Sequence, residues 1–459
     1  MDFFAHGTER LLPNLLDVVI MAVYIILIFL VSHLIQKRYI EKNPAYRFYK
    51  WGLFAKIFAA VIFCIVYTLY YTEGGDATMY FRNSQSLVKL LFNDPGQYLY
   101  ILFGGRSPEV YYWFDSETGW PWMYRDPESF VVVRLTSVFT LLGAGSFFTT
   151  TILVAWVSYI GIWRLYLLFT KQYPGLETQF AIGILFFPSL VFWGSGILKD
   201  SYSILAIGLF TYSFYKALIL KQKIILNLIV VLFSSFLIFI IKPYIIVALL
   251  PGSFLWLAFY RLKKIKNTAT RWTVAPVLTL VFLLAALGVV TAFSAELGDY
   301  GSIESIIRKA QITQDDLKRA EAYSENFFDI GDLDGTLSGF VKLAPAAVVA
   351  GIFRPFLWEA GNPLIMLSAI ENTILIIITL IILIRTGPIR VIKITANEPL
   401  VIFSLLFALI FAFSVGLTTA NFGALVRLRI PLLPFFAGAL VILNYLSLKW
   451  KKEHETLEL

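Results

Sequence analysis

The first long apolar run of the chain reads VVIMAVYIILIFLVSHLI, residues 18–35. It carries no Lys, Arg, Asp or Glu and is long enough to cross the hydrocarbon core of a bilayer as a helix. A second apolar run, Trp51–Tyr71, follows after a short loop with five Lys and Arg residues. Because basic residues collect on the cytoplasmic side, the pattern predicts two membrane helices joined by a cytoplasmic loop.

The composition extends this prediction to the whole chain. Of its 459 residues, 58% are hydrophobic and only 15% are charged, against about 25% in soluble domains. The mean hydropathy is +0.75. These values exclude a soluble enzyme, a nucleic-acid-binding protein and a secreted domain. We expect an all-α, polytopic integral membrane helical bundle forming a single membrane domain over residues 1–459.

Further apolar runs predict about eleven membrane helices in total. After the first two, they are Phe147–Phe169, Phe180–Leu198, Tyr202–Leu220, Ile224–Ile241, Tyr244–Tyr260, Val274–Phe293, Leu364–Ile384, Pro399–Leu417 and Ile430–Leu448. Two other runs, Phe130–Leu142 and Val341–Trp358, are too short or too interrupted by charge and proline to cross. We expect them to be outer-side juxtamembrane or re-entrant helices.

Charge sets the predicted orientation. The loop 72–130 and the loop 294–340 are both rich in acidic residues, whereas the predicted inner segments hold 21 of the 38 Lys and Arg residues. The net charge of +8 therefore indicates membrane topology rather than a nucleic-acid partner. We expect the N-terminus outside and the C-terminus in the cytoplasm.

Cysteine and histidine offer little chemistry. The single Cys64 lies in an apolar run, and two of the three histidines lie near the chain ends. An intrachain disulfide is excluded, and neither residue type predicts a metal site. Binding of a divalent cation by carboxylates is not excluded by this composition.

The candidate catalytic carboxylates lie where the second apolar run ends, in the segment Tyr71-Thr-Glu-Gly-Gly-Asp-Ala-Thr-Met-Tyr80. The paired glycines permit a tight turn that would hold Asp76, with Glu73 beside it, at the outer membrane surface. A carboxylate held there can act as general base toward a sugar hydroxyl. The alternative is that both carboxylates only solvate the interface and that Asp76 caps a helix.

Basic residues recur near the predicted outer leaflet, where the positive-inside rule disfavours them. They are Lys199, Lys242, Arg354, Arg427 and Arg429, with Asp200 and Glu359 as supporting acidic residues. Together they favour binding of a lipid phosphate or pyrophosphate. Ion pairs with Asp76, Asp200, Glu359 or Glu371 are the structural alternative.

The aromatic stretch Tyr111–Tyr124 is the remaining candidate for binding. It holds Trp113, Trp120 and Trp122 among several tyrosines. Such rings could stack on sugars, but Trp and Tyr also collect at membrane interfaces without any ligand. The stretch therefore leaves both interpretations open.

The layout resembles the GT-C superfamily of polytopic glycosyltransferases over residues 51–260. The run Trp51–Tyr71, the GGDA segment with Asp76 and the following short helices are similar to that family's first outer-loop module. The segment Arg427-Leu-Arg-Ile-Pro-Leu-Leu-Pro434 also resembles a late basic element of O-antigen-polymerase-like proteins. Residues 273–459 would then form the C-terminal spans.

The resemblance implies a glycosyltransferase of the bacterial cytoplasmic membrane that works in cell-envelope polysaccharide biosynthesis. Its partners would be a polyprenyl-phosphate-linked sugar donor, a glycan or lipid acceptor, and membrane lipids. Asp76 and Glu73 would be the catalytic carboxylates. The alternatives are a polysaccharide polymerase of the O-antigen type and a transporter or lipid flippase without transferase activity. A transporter predicts helices that break within the membrane.

Overall fold

The computed structural model describes residues 11–71, 75–265, 327–331 and 336–455, with isolated positions between 277 and 316. Regular secondary structure over these residues is helical, and one isolated bridge joins Phe327 to Asn421. The predicted all-α polytopic bundle is therefore confirmed.

The helices are numbered in chain order. The first half of the chain forms α1 (Leu15–Tyr39), α2 (Tyr49–Leu69), α3 (Asp76–Asn93), α4 (Pro95–Leu102), α5 (Pro127–Leu142), α6 (Phe147–Gln172), α7 (Lys199–Phe214) and α8 (Ile224–Ile241). The second half forms α9 (Pro243–Leu262), α10 (Leu337–Phe353), α11 (Pro363–Thr386), α12 (Pro388–Asn397), α13 (Pro399–Thr418), α14 (Phe422–Leu428) and α15 (Leu433–Glu455).

Within the described residues, nine helical segments are long and apolar enough to cross a membrane. They contain α1, α2, α6, α7, α8, α9, α11, α13 and α15, and each coincides with a predicted apolar run. The chain is thus a multi-pass membrane protein. Of the two remaining predicted spans, Val274–Phe293 lies outside the described residues except for isolated positions, and Phe180–Leu198 differs from the prediction.

The prediction of one continuous helix over Phe180–Leu198 is wrong. A short helix, Glu177–Phe180, leads into a π-helical turn, Ala181–Leu185, and a separate helix then spans Pro188–Trp193. Pro188 supplies no backbone donor and disfavours helical backbone at the residue before it, so the helix stops there. Hydropathy alone does not register this interruption.

The two shorter apolar runs form helices whose bounds differ from the predicted Phe130–Leu142 and Val341–Trp358. Helix α5 has 16 residues and α10 has 17, whereas crossing a bilayer takes about 20. Helix α10 ends at Phe353, so the predicted segment Val341–Trp358 is not one helix. Its last residues form a separate 3₁₀ turn, Leu357–Glu359, after the proline of Arg354-Pro355.

The chain divides into two compact units. The first comprises Met1–Thr170, Leu190–Tyr212 and Phe233–Lys242. In it, α6 and α7 cross at glycines: a Cβ atom added to Gly208 would lie 2.0 Å from the carbonyl oxygen of Gly161. Small residues of this kind let membrane helices approach backbone to backbone.

The second unit comprises Lys171–Ser189, Ser213–Leu232 and Pro243–Leu459. Here α10 and α13 cross in the same way, since a Cβ atom on Gly416 would lie 2.0 Å from the carbonyl oxygen of Ala347. Nearby, the ring of Trp256 stacks between Tyr215 and Phe403, at centroid distances of 5.7 and 4.8 Å. Close helix crossings and aromatic stacking thus form the core of this unit.

Candidate functional site

Asp76 is the first residue of α3 and is half-buried. The helix start is fixed by Thr78, whose hydroxyl donates to the carbonyl of Gly75 at 2.8 Å and accepts from its N–H at 3.0 Å. Gly75 itself fits against the ring of Tyr67 in α2, 3.0 Å from where a Cβ atom would be. Glu73 and Gly74 lie outside the described residues, so the predicted carboxylate pair is represented here by Asp76 alone.

The polar face of α3 lines a pocket of about 470 Å³ in the first unit. Its lining includes Arg82, Gln85, Ser86 and Lys89 from α3, and Trp120 and Trp122 from the loop before α5. Arg82, Gln85 and Lys89 recur at helical spacing, which places their side chains along one side of the helix. The pocket thus combines two cations with two indole rings.

The loop that carries the tryptophans is held by Asp115. Its carboxylate accepts hydrogen bonds from the backbone N–H groups of Glu117 and Thr118, each at 2.9 Å. The Thr118 hydrogen bond holds the pKa of Asp115 below its usual value. Trp120 and Trp122 remain 48% and 73% exposed, so their rings are available to a ligand.

A second set of hydrogen bonds joins this loop to α3. The backbone N–H of Met123 donates to the side-chain oxygen of Asn83 at 2.9 Å, and the ammonium of Lys89 donates to the Glu117 carbonyl at 3.2 Å. These contacts fix the distance between the aromatic loop and the basic side of α3. A flat apolar ring and an anion can therefore be bound side by side.

Asp76 and two residues of the pocket lining lie on the same face of α3. Asp76, Met79 and Asn83 share one face by their spacing, and Met79 and Asn83 line the pocket. At about 1.5 Å rise per residue, Asp76 lies roughly 10 Å along the helix from Asn83. Asp76 itself is not part of the pocket lining.

Lys199, a predicted phosphate-binding residue, begins α7. Its ammonium lies 3.4 Å from Glu128 and 3.7 Å from Asp126, at the N-terminus of α5. Burial raises the pKa of Asp126, but the Ser129 hydroxyl and Lys199 together hold it below its usual value. The Lys199 side chain stays 20% exposed, so an incoming anion has access to it.

Lys242 and Asp200 form a buried ion pair. The Lys242 ammonium lies 2.6 Å from the Asp200 carboxylate, and both side chains are only 3% exposed. Lys242 thus binds the acidic residue predicted to support it, in a position closed to an external phosphate.

Lys56 is a buried cation that the sequence analysis did not single out. It lies in the first third of the second apolar run, is 3% exposed, and donates to the carbonyl of Gly194. The Ser158 hydroxyl donates to the same carbonyl at 3.0 Å. Gly194 follows the short helix Pro188–Trp193, so its carbonyl is available because the chain leaves helical geometry there.

Arg354, in the second unit, pairs with Glu359 through two guanidinium nitrogens. The guanidinium also lies over the Phe328 ring, 4.7 Å from its centroid. Glu359 accepts from the backbone N–H of Phe356 at 2.8 Å. The pair therefore closes the turn that follows α10.

Arg429 is completely buried at the end of α14. It donates to the carbonyls of Ile352 and Arg354 at 3.1 and 2.8 Å, and to the Asn372 side chain at 2.5 Å. Its guanidinium lies 3.8 Å from Glu371. Arg429 thus joins the ends of α10 and α14 to α11.

Four predicted phosphate-binding residues therefore have carboxylate partners within their own units. They are Lys199, Lys242, Arg354 and Arg429. Arg427 lies in the last turn of α14 and is half-buried. Lys199 belongs to the first unit, whereas Arg427 and Arg429 belong to the second.

Sequence analysis missed Arg82 and Lys89, although their spacing on an amphipathic helix was readable. Over the described part of the chain, no three His, Cys, Asp or Glu side chains come close enough to hold a metal ion. No family model, no curated protein and no solved structure matches the chain.

Proposed function

We propose that the protein is a glycosyltransferase of the bacterial cytoplasmic membrane, using a polyprenyl-phosphate-linked sugar on the outer face for cell-envelope glycan synthesis. The observation that carries the proposal is the pocket on α3. Arg82 and Lys89 lie on α3, the helix that begins at Asp76, and the exposed indole rings of the loop before α5 line the same pocket. Cations suit a phosphodiester and indole rings suit a sugar face.

In the proposed reaction, Asp76 accepts the proton of an acceptor hydroxyl. The hydroxyl oxygen attacks the anomeric carbon of the donor sugar, and the bond from that carbon to the phosphate oxygen breaks. Polyprenyl phosphate leaves with the electron pair. Arg82 and Lys89 stabilise the charge that develops on the departing phosphate.

Lys199 keeps a supporting part in this proposal. Its side chain is one-fifth exposed and its partners are two carboxylates. A phosphate could replace one of them without leaving the ammonium unpaired. Lys242, Asp200, Arg354, Glu359, Arg427 and Arg429 act in the proposal by fixing the helices rather than by holding the donor. The N-terminus would lie outside and the C-terminus in the cytoplasm.

The test is transfer from radiolabelled polyprenyl-phosphate sugars, carrying glucose, galactose, mannose or arabinose, by the full chain in proteoliposomes. Asp76→Asn keeps the shape of the side chain and removes its basicity. It should lower kcat by roughly 10²–10⁴-fold, the usual contribution of a general base. Arg82→Gln with Lys89→Gln should raise KM for the donor and also lower kcat, so that kcat/KM falls by about tenfold or more, because each charge-assisted contact contributes about 1.5–3 kcal/mol.

The matched control is Glu109→Gln, which removes an exposed carboxylate outside the pocket lining and should leave both constants unchanged. Full transfer by the Asp76→Asn variant would remove Asp76 from the mechanism. Products of many repeat units, rather than single additions, would favour the polymerase alternative.

One observation favours a transporter instead. The segment from Glu177 to Trp193 is broken by a π-helical turn and a proline, and Glu371 accepts from the N–H and hydroxyl of Ser189 at 2.7 and 2.6 Å. Broken helices with carboxylates beside them are typical of transport sites. Lipid or solute flux without sugar transfer, abolished by Glu371→Gln, would establish this candidate.

A further inference from the structure

A basic pocket of about 650 Å³ lies in the second unit, where α12 connects α11 to α13. Gly387, at φ +76°, ends α11 and turns the chain into α12. The pocket is lined on one side by Arg390 and Lys393 of α12, and on the other by Lys449 and Trp450 of α15. None of its lining residues takes part in the proposed transfer reaction.

The acidic residues around this pocket already have cationic partners. Glu398 accepts from Lys263 and from the Tyr173 hydroxyl, both at 3.0 Å. Glu453 lies 3.9 Å from Lys449. The charges of Arg390 and Lys393 therefore dominate the pocket, and the Arg390 guanidinium lies over the Trp450 ring at 3.3 Å from its centroid.

Helix α12 also carries an uncovered apolar side. Ile389 and Ile392, one helical turn apart, are 70% and 68% exposed, and no residue of α12 is buried. The helix follows directly on α11, which is long and apolar enough to cross the membrane. A short helix with cations on one side and isoleucines on the next is typical of a helix that lies in the membrane interface.

We infer that this pocket binds the headgroup of an anionic phospholipid. Arg390 and Lys393 hold the phosphodiester, and Ile389 and Ile392 lie against the acyl chains. A free phosphate would use the cations but would not explain the exposed isoleucines. The predicted topology places α12 on the cytoplasmic side, where anionic lipids attract basic segments.

The experiment is native mass spectrometry of the full chain, purified in detergent and titrated with phosphatidylglycerol or phosphatidylcholine. We expect the affinity for phosphatidylglycerol to exceed that for phosphatidylcholine by about tenfold or more. Phosphatidylglycerol carries a net negative charge, whereas the choline group neutralises the phosphate charge of phosphatidylcholine. The double variant Arg390→Gln/Lys393→Gln should lose this preference. The matched control, Lys37→Gln/Lys42→Gln, removes two exposed charges after the apolar part of α1 and should keep it.

Two further measurements separate lipid from free anion. Inorganic phosphate at millimolar concentration should not displace phosphatidylglycerol, and Ile389→Ser/Ile392→Ser should weaken its binding. Equal binding of phosphatidylglycerol by the wild type and the Arg390/Lys393 variant would overturn the inference. So would displacement by inorganic phosphate together with no effect of the isoleucine substitutions, since the pocket would then take a free anion.

Discussion

At the scale of single residues, the charges inside the first unit are the most consequential groups. The side chains of Lys242 and Asp200 are each only 3% exposed, so water does not screen the charge of either. Removing one partner of a buried pair leaves the other charge buried and uncompensated. The pair is therefore a sensitive probe of whether the unit is folded as described.

We expect Lys242→Met to lower the free energy of unfolding by about 3–5 kcal/mol. The double variant Lys242→Met/Asp200→Asn should recover much of this loss, because no charge is then left buried. The measurement is thermal unfolding of the purified protein in detergent. Lys263→Met is the control, since its pair with Glu398 is 51% and 25% exposed and should contribute less than about 1 kcal/mol. Equal losses in both variants would contradict the buried pair.

Prediction of the site from sequence reached only part of these residues. Asp76 could be selected because glycines and an apolar run precede it, and Lys242 and Asp200 because charges are rare in such runs. Asp200 could be named as a candidate ion-pair partner, but its pairing with Lys242 in particular could not be predicted, since 42 residues separate them in sequence. Arg82 and Lys89 were passed over because an amphipathic helix ordinarily exposes such residues to water without a ligand.

At the scale of helices, glycine crossings decide how closely neighbours pack. Gly208 of α7 meets the backbone of Gly161 of α6, not a side chain that could rotate away. Any added carbon must therefore move a whole helix.

We expect Gly208→Ala to destabilise the protein by about 1–3 kcal/mol, the usual cost of overpacking. Unfolding in detergent measures this loss. Gly96→Ala is a suitable control, because the new methyl group would meet only the Asp94 side chain, at 3.2 Å, and no neighbouring helix backbone. An unfolding midpoint for Gly208→Ala equal to the wild type would show that α6 and α7 do not cross here.

Hydropathy predicted most helices because length and apolar content suffice to identify a membrane helix. It could not show the interruption between Phe180 and Leu198, where every residue is apolar or small. The break depends on the backbone of Pro188 and on a π-helical turn at Ala181–Leu185. Neither changes the average apolarity of the run.

At the scale of the whole molecule, the break in the segment 177–193 affects the predicted membrane orientation of every later helix. The helical pieces from 177 to 193 would extend about 26 Å at 1.5 Å per residue, close to the thickness of the hydrocarbon core. If the segment did not cross, every later basic loop would change sides. The charge pattern therefore predicts that the segment crosses in pieces.

Reporter fusions after Gly175 and after Lys221 check this directly. Both sites should report a cytoplasmic location, because the broken segment and α7 together return the chain to the side it left. Opposite locations for the two fusions would mean that 177–198 does not cross. A fusion after Lys42 serves as the cytoplasmic reference.

The contact between Lys56 and Gly194 has a consequence for how the protein is made. The lysine lies in α2, and its carbonyl partner is 138 residues later in the chain. Because the chain is made from its N-terminus, α2 is synthesised before Gly194, and a lysine within a membrane helix opposes insertion by up to about 2.5–3.5 kcal/mol. We therefore expect α2 to become stably inserted only after the chain has been synthesised as far as Gly194.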